Sequence, residues 1–88
     1  MDWKEYLLSC HGWQDSDGNR VCFFPENLAG ERSAEGIWLF LDEGLRCGGR
    51  SICVSSMEEV AQALLGCGKK ELWEAVRTQW EREEKNVF

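Results

Sequence analysis

Oxygen and sulfur atoms able to hold a metal or attack a substrate fall in two sets along the chain. Asp15, Asp17 and Asn19 occupy alternate positions, and Glu26 stands twelfth counting from Asp15. Oxygen ligands at alternate positions are what a loop wrapped around a hard cation requires. The sulfur set is Cys10 beside His11, then Cys22, Cys47, Cys53 and Cys67. These are enough ligands for zinc, but no pair has the spacing of two to four intervening residues that marks a zinc knuckle. Cys47 and Cys53 have five residues between them, across a turn that could bring them together. Cysteine is among the most often buried residues, so small apolar filler is its default role. His11 is the sole histidine, and any Cys–His or Ser–His pair must use it. Neighbours in sequence rarely face each other, so Cys22 or Cys53 would have to meet His11 through the fold. The run Gly66-Cys67-Gly68-Lys69-Lys70-Glu71 lacks the spacing of a phosphate loop and the Ser or Thr after its lysine. The expectation is a protein without a catalytic constellation, cofactor or bound metal.

Two stretches resemble known motifs. The Asp15–Glu26 pattern is similar to the ligand skeleton of an EF-hand loop, but departs where that loop needs glycine, at Arg20, and carries Pro25 where the exit helix should be starting. The stretch Glu59 to Arg77 resembles the DNA-binding helix-turn-helix, with Ala61 early in the first helix, Gly66 in the turn, and Leu72 and Val76 in the second helix. It departs in having five positions rather than four from Ala61 to Gly66. Lys69 and Lys70 open its second helix, and Glu71 and Glu74 follow, where carboxylates would be repelled by phosphate.

The elements that must position these residues follow from pattern. Asp2 opens a short helix from Trp3 to about Cys10, with Trp3, Leu7 and Cys10 on one face and Leu8 beside them. Trp13-Gln14 opens a strand, Asp15 to Asn19 makes a turn, and Arg20 to Phe24 returns as a strand that Pro25 stops. Glu26 to Gly36 is a polar loop without periodicity and the segment expected to move most. Ile37-Trp38-Leu39-Phe40-Leu41 is a continuous apolar run, read as a buried strand. A helix is its rival, since Ile37, Leu41 and Leu45 are spaced by four, but Gly36 and Gly44 would each weaken a helix by about 1 kcal/mol relative to Ala. Asp42-Glu43-Gly44 is a tight turn, Leu45-Arg46-Cys47 a short return, Gly48-Gly49 a second turn, and Ser51 to Val54 a strand with Ile52 and Val54 on one face. Ser56 and Glu59 form a capping box for a helix whose apolar face is Met57, Val60, Ala61, Leu64 and Leu65. Gly66-Cys67-Gly68 ends it. A last helix runs from about Lys69 to Glu84 on a stripe of Leu72, Trp73, Val76 and Trp80. Lys70–Glu74, Arg77–Glu81 and Glu81–Lys85 are paired across one turn, and the tail at residues 86–88 is expected to fray.

These elements make one domain, 1–88, of α+β class: a small antiparallel sheet of three or four short strands, an N-terminal helix, and a C-terminal two-helix hairpin on one face. Hydrophobic residues are 43% and charged residues 30% of the 88, which is a globular composition with room for one core and no deep substrate pocket. The formal net charge is -6, and no segment is basic. That argues against a partner made mainly of phosphate. The start Met1 to Cys10 carries no secretory pattern, and no apolar stretch is long enough to span a bilayer. With an odd cysteine count of 5, free thiols and a cytoplasmic setting are expected.

The function these features predict is non-catalytic. An acidic module would bind a larger protein, one with a basic or nucleic-acid-binding surface, as adaptor or stoichiometric inhibitor. In size and charge it is similar to small phage-borne inhibitors of host defence, anti-CRISPR proteins among them. The candidate contact residues are Glu26, Glu31, Arg32 and Glu35 on the loop, Asp42 and Glu43 at the turn, and Trp13 and Trp73 as aromatic anchors. The alternative is a helix-turn-helix regulator that reads DNA with the helix starting near Lys69. Either a monomer or a homodimer is compatible with the sequence.

Overall fold

A computed structural model of the protein describes residues 2–32, 34–44 and 49–85, with residues 84 and 85 described by backbone alone. The elements in chain order are α1 (Trp3–Ser9), β1 (Trp13–Gln14), β2 (Arg20–Phe24), β3 (Ile37–Asp42), β4 (Gly49–Val54), α2 (Met57–Gly66) and α3 (Lys70–Lys85). The α+β architecture expected from the sequence is therefore the one observed. The expected return at 45–47, the Glu81–Lys85 pairing and the tail at 86–88 lie outside the described residues and side chains.

The strands form an antiparallel meander in the order β1-β2-β3-β4. Val21 lies opposite Leu41 and Phe23 opposite Leu39, while Leu39 is opposite Ile52 and Ile37 opposite Val54. Because successive side chains of a strand alternate between faces, this register gathers Val21, Phe23, Ile37, Leu39, Leu41, Ile52 and Val54 on one face. All three helices cover that face: Tyr6 and Leu7 from α1, Val60 and Leu64 from α2, and Leu72 and Val76 from α3 complete one buried cluster with it.

Capping and turn chemistry explain the boundaries. Ser56 Oγ accepts the Glu59 amide at 3.2 Å. The Glu59 carboxylate reaches back one residue further than a strict capping box would, accepting the Ser55 amide at 2.8 Å. Gly68 adopts φ +74, the left-handed stop that glycine takes without penalty. Asp2 occupies the N-cap of α1 but its side chain makes no capping bond, in contrast to the expectation for that residue. Gly49 belongs to β4 and not to a turn, because its pairing with Asp42 extends the β3–β4 ladder by one more position.

Three helix-face assignments change. On α1 the fully buried residues are Tyr6 and Leu7, and Leu8 is exposed. The Tyr6 hydroxyl donates to the Val76 carbonyl at 2.7 Å. Its ring meets those of Trp13 and Trp80 at 5.7 and 4.9 Å between centroids. Burial first, then the nearby Cys10 and Glu83, hold the phenol well above its ordinary pKa. Leu65 is 48% exposed; it lies in the last turn of α2, away from the stripe formed by Val60 and Leu64. No helix among the described residues is long and apolar enough to cross a membrane.

Candidate interaction surface

The face of the sheet turned away from the helices carries Cys22 and Phe24 on β2, Trp38 and Phe40 on β3, and Ser51 and Cys53 on β4. Cys22 is opposite Phe40, and Phe24 opposite Trp38, so the three aromatic residues stand in neighbouring positions across two strands. None of them belongs to the core cluster. Phe24 is 43% exposed, Trp38 and Phe40 are half-buried, and the Phe40 ring lies directly over Gly49, which leaves it room. Among the described residues no helix covers this face, and the parts of the aromatic side chains left exposed would gain by removal from water.

One wall of this surface is built by the segment after β2. Pro25 ends the strand. Glu26 and Arg32 then form an isolated antiparallel bridge, so the expected irregular loop closes on itself as a miniature hairpin. Asn27 organises it: its amide donates to the Glu31 carbonyl at 2.9 Å and its carbonyl accepts from Gly30 at 3.0 Å. Its side-chain Oδ1 accepts from the amides of Ala29 and Glu31 at 3.0 and 2.8 Å. Arg32 Nε reaches Glu26 Oε1 at 2.9 Å. At the tip Leu28 is 77% exposed. Phe24, Pro25 and Leu28 with Trp38 and Phe40 line a groove of about 410 Å3, which Glu26, Asn27 and Ser51 complete. The Trp38 indole N–H is buried and has no acceptor among the described residues.

A second hollow of about 440 Å3 shares Phe24 and Pro25 with this groove and brings Cys10, His11 and Cys22 together with Leu8 and Arg20. Arg20 Nη2 donates to the His11 carbonyl at 2.7 Å. Burial pushes the Cys10 thiol up, which disfavours the thiolate that nucleophilic or metal chemistry requires. No group of three or more His, Cys, Asp or Glu side chains among the described residues is placed to hold a metal ion.

The Asp15–Asn19 turn spends its oxygens internally. Asp15 Oδ1 accepts the amides of Asp17 and Asn19 at 3.0 and 2.8 Å, and Oδ2 accepts Asn19 Nδ2 at 2.8 Å. Strand β2, five residues long, carries Glu26 away along roughly 16 Å of extended chain, so the EF-hand-like ligand set is not assembled. Burial raises the Asp15 pKa, but the bonds from Asn19 and Asp17 and the charge of Lys69 outweigh it and leave the carboxyl below its usual 3.8. Its contribution to stability is present above pH 3.8 and is lost as pH falls through the lowered folded value. Urea unfolding between pH 6 and pH 2.5 is expected to show a shallower acid-side decline in Asp15→Asn than in the parent; parallel declines would refute it.

The sequence-predicted contact residues separate into three places. Glu26, Glu31 and Arg32 belong to the miniature hairpin and Glu35 follows it in sequence; of the four, Glu26 lines the aromatic groove. Asp42 and Glu43 lie at the other end of β3, where Gly44 donates to Asp42 Oδ1 at 2.9 Å. Glu43 is held between Arg50 Nε at 2.7 Å and Lys69 Nζ at 3.5 Å and is 11% exposed. The Arg50 contact is an ion pair without hydrogen-bond alignment, since Glu43 Oε1 accepts no hydrogen bond among the described residues. Trp13 is a core residue, 8% exposed, whose Nε1 donates to Gln79 Oε1 at 3.1 Å; it is not presented to a partner. Trp73 is half-buried and packs against the core. At the start of α3, Lys69 is engaged by Glu43, and Glu71 accepts from Ser16 Oγ at 2.9 Å. The end expected to read DNA in the alternative reading is thus bound to the protein's own loops.

Sequence reasoning did not single out Phe24, Leu28, Trp38 and Phe40. The signal was the apolar run itself. In a sheet covered on one face only, an unbroken run of apolar residues must leave every second one on the open face. Comparison with protein-family models, with curated proteins and with solved structures gave no match to this chain.

Proposed function

We propose that the protein is a non-catalytic interaction module that docks a larger protein through the open face of its sheet, as adaptor or stoichiometric inhibitor. The observation that supports this reading is the aromatic row Phe24, Trp38 and Phe40, which lies outside the core cluster formed by the described residues. Aromatic side chains give large contact area at low entropy cost and dominate binding hot spots. The net charge of -6 would speed encounter with a basic partner surface. The free thiols Cys10, Cys22 and Cys67 suit a reducing compartment such as the cytoplasm.

The test compares partner recovery by three variants with unchanged circular dichroism. Wild type and Leu65→Ser, whose exposed leucine lies on α2, are expected to recover the same partner in comparable amount. Trp38→Ser/Phe40→Ser is expected to lose at least about 10-fold, the effect of one hot-spot residue worth ~1.4 kcal/mol or more. Equal recovery by all three would remove the open face from the function.

A further inference from the structure

The groove on the open face has a chemistry narrower than "apolar". Its floor presents aromatic rings, from Phe24, Trp38 and Phe40, and its wall presents a carboxylate, Glu26. Rings offer their negative faces to cations, and a guanidinium or ammonium within about 6 Å of a ring centroid is attracted to it. The miniature hairpin and its continuation carry Glu26, Glu31 and Glu35 against one cation, Arg32, which is already bonded to Glu26. At the far end of the face Arg20 stands opposite Asp42 in the β2–β3 register, so that end is balanced. Of these carboxylates Glu26 lines the groove beside the rings and Leu28, and Glu31 stands on the same hairpin with no cation of its own among the described residues to offset it.

We infer that this groove receives a segment of a partner protein in which an apolar side chain is flanked by arginine or lysine. This rests on the interaction-module reading above. The volume of about 410 Å3 is that of a small-ligand pocket and suits a few side chains of a segment, not a folded surface. The apolar side chain seats between Leu28, Pro25 and the rings, and the flanking cations stack on ring faces and meet Glu26 and Glu31. Charge disposes of the other occupants. A nucleic acid brings phosphates to an acidic rim, and a second copy of this chain, also at -6, brings the same surplus.

The test is a nuclear magnetic resonance titration of the whole chain. The probes are an acetylated peptide with one leucine between two arginines in Gly-Ser flanks, and its counterpart with glutamates for the arginines. The arginine peptide is expected to shift the Trp38 indole resonance and the amides of residues 24–28, and to bind at least ten-fold more tightly than the glutamate peptide. Gly49→Ala places a methyl group on the Phe40 ring and displaces it, so it is expected to weaken the arginine peptide at least three-fold without altering any groove residue. Equal binding of the two peptides overturns the charge selectivity inferred here and leaves the module reading standing. No shift with either peptide overturns the inference, and partner recovery by Trp38→Ser/Phe40→Ser then decides the module reading separately. Stronger shifts from a twelve-residue oligothymidylate than from the arginine peptide, or shifts that follow the protein's own concentration, overturn it in favour of nucleic acid or of self-association.

Discussion

Gly36→Ala is expected to destabilise the protein by about 3 kcal/mol, a fall of roughly 12 °C or more in thermal midpoint for a domain of this size. Gly36 immediately precedes β3 and is buried. A Cβ there would fall on the Val54 carbonyl oxygen, 2.8 Å from the Val54 carbonyl carbon and 3.1 Å from the Ser55 Cα. All three are backbone atoms, so no side chain can turn aside to make room. Ile37 is paired with Val54 at this end of the sheet, and relief requires the β3–β4 pair to part where α2 begins. The comparison is Gly18→Ala. Gly18 has φ +86 and nothing within 4 Å of its added methyl, so only the left-handed conformation is penalised, by about 1 kcal/mol. Thermal unfolding followed by circular dichroism separates the two. A Gly36 variant no less stable than the Gly18 variant would contradict the close approach.

Leu39→Ala and Trp38→Ala are neighbours in sequence and are expected to fail in opposite ways. Leu39 is fully buried at the centre of the sheet, between Phe23 on β2 and Ile52 on β4. Truncation leaves a cavity and costs about 2–5 kcal/mol. The whole stability of such a domain is only ~4–13 kcal/mol at about 0.05–0.15 kcal/mol per residue, so the loss removes a large part of it. Trp38 is the larger side chain but faces the open surface. Its loss is expected to cost about 1 kcal/mol or less of stability, since it lies outside the core cluster and its indole donor has no acceptor among the described residues. Urea unfolding measures both losses, and partner recovery reads the binding that Trp38→Ala is expected to weaken. A Trp38 variant as unstable as the Leu39 variant would mean that the outer rings are structural.

The same pair shows what the sequence could and could not convey. The Ile37–Leu41 run is legible as a strand because Gly36 and Gly44 sit where a helix interior would need better formers. The capping pair Ser56 and Glu59, the turn from Asp15 to Asn19, and the Gly68 stop are local chemistry, and each element begins or ends where that chemistry places it. The faces are not local. Whether Trp38 points into a core depends on what covers the sheet, and the helices that cover one side are supplied by residues far along the chain. The Tyr6 hydroxyl finds its acceptor 70 residues away, which no helical period on α1 can announce. Trp13 reads equally well as anchor or core until Gln79 and Tyr6 are placed beside it. On the candidate site, the acidic character of the loop after β2 was visible from its composition but its hairpin form was not, and the aromatic floor beside it was hidden inside a run that looked wholly internal.

The bonds from Tyr6 to Val76, from Trp13 to Gln79 and from Ser16 to Glu71 span 70, 66 and 55 residues, and all three end on α3. During synthesis the ribosome releases the β2–β3–β4 meander well before it releases α3. β1 can pair with β2 at once, but the Tyr6 hydroxyl and the Trp13 indole N–H must wait for their acceptors until α3 emerges. The aromatic groove needs no such wait, because Phe24, Leu28, Trp38 and Phe40 are all in place once β4 has paired. A nascent chain would thus hold a finished aromatic face over an unfinished core, and the order in which those two parts mature is written into the distance between Tyr6 and Val76.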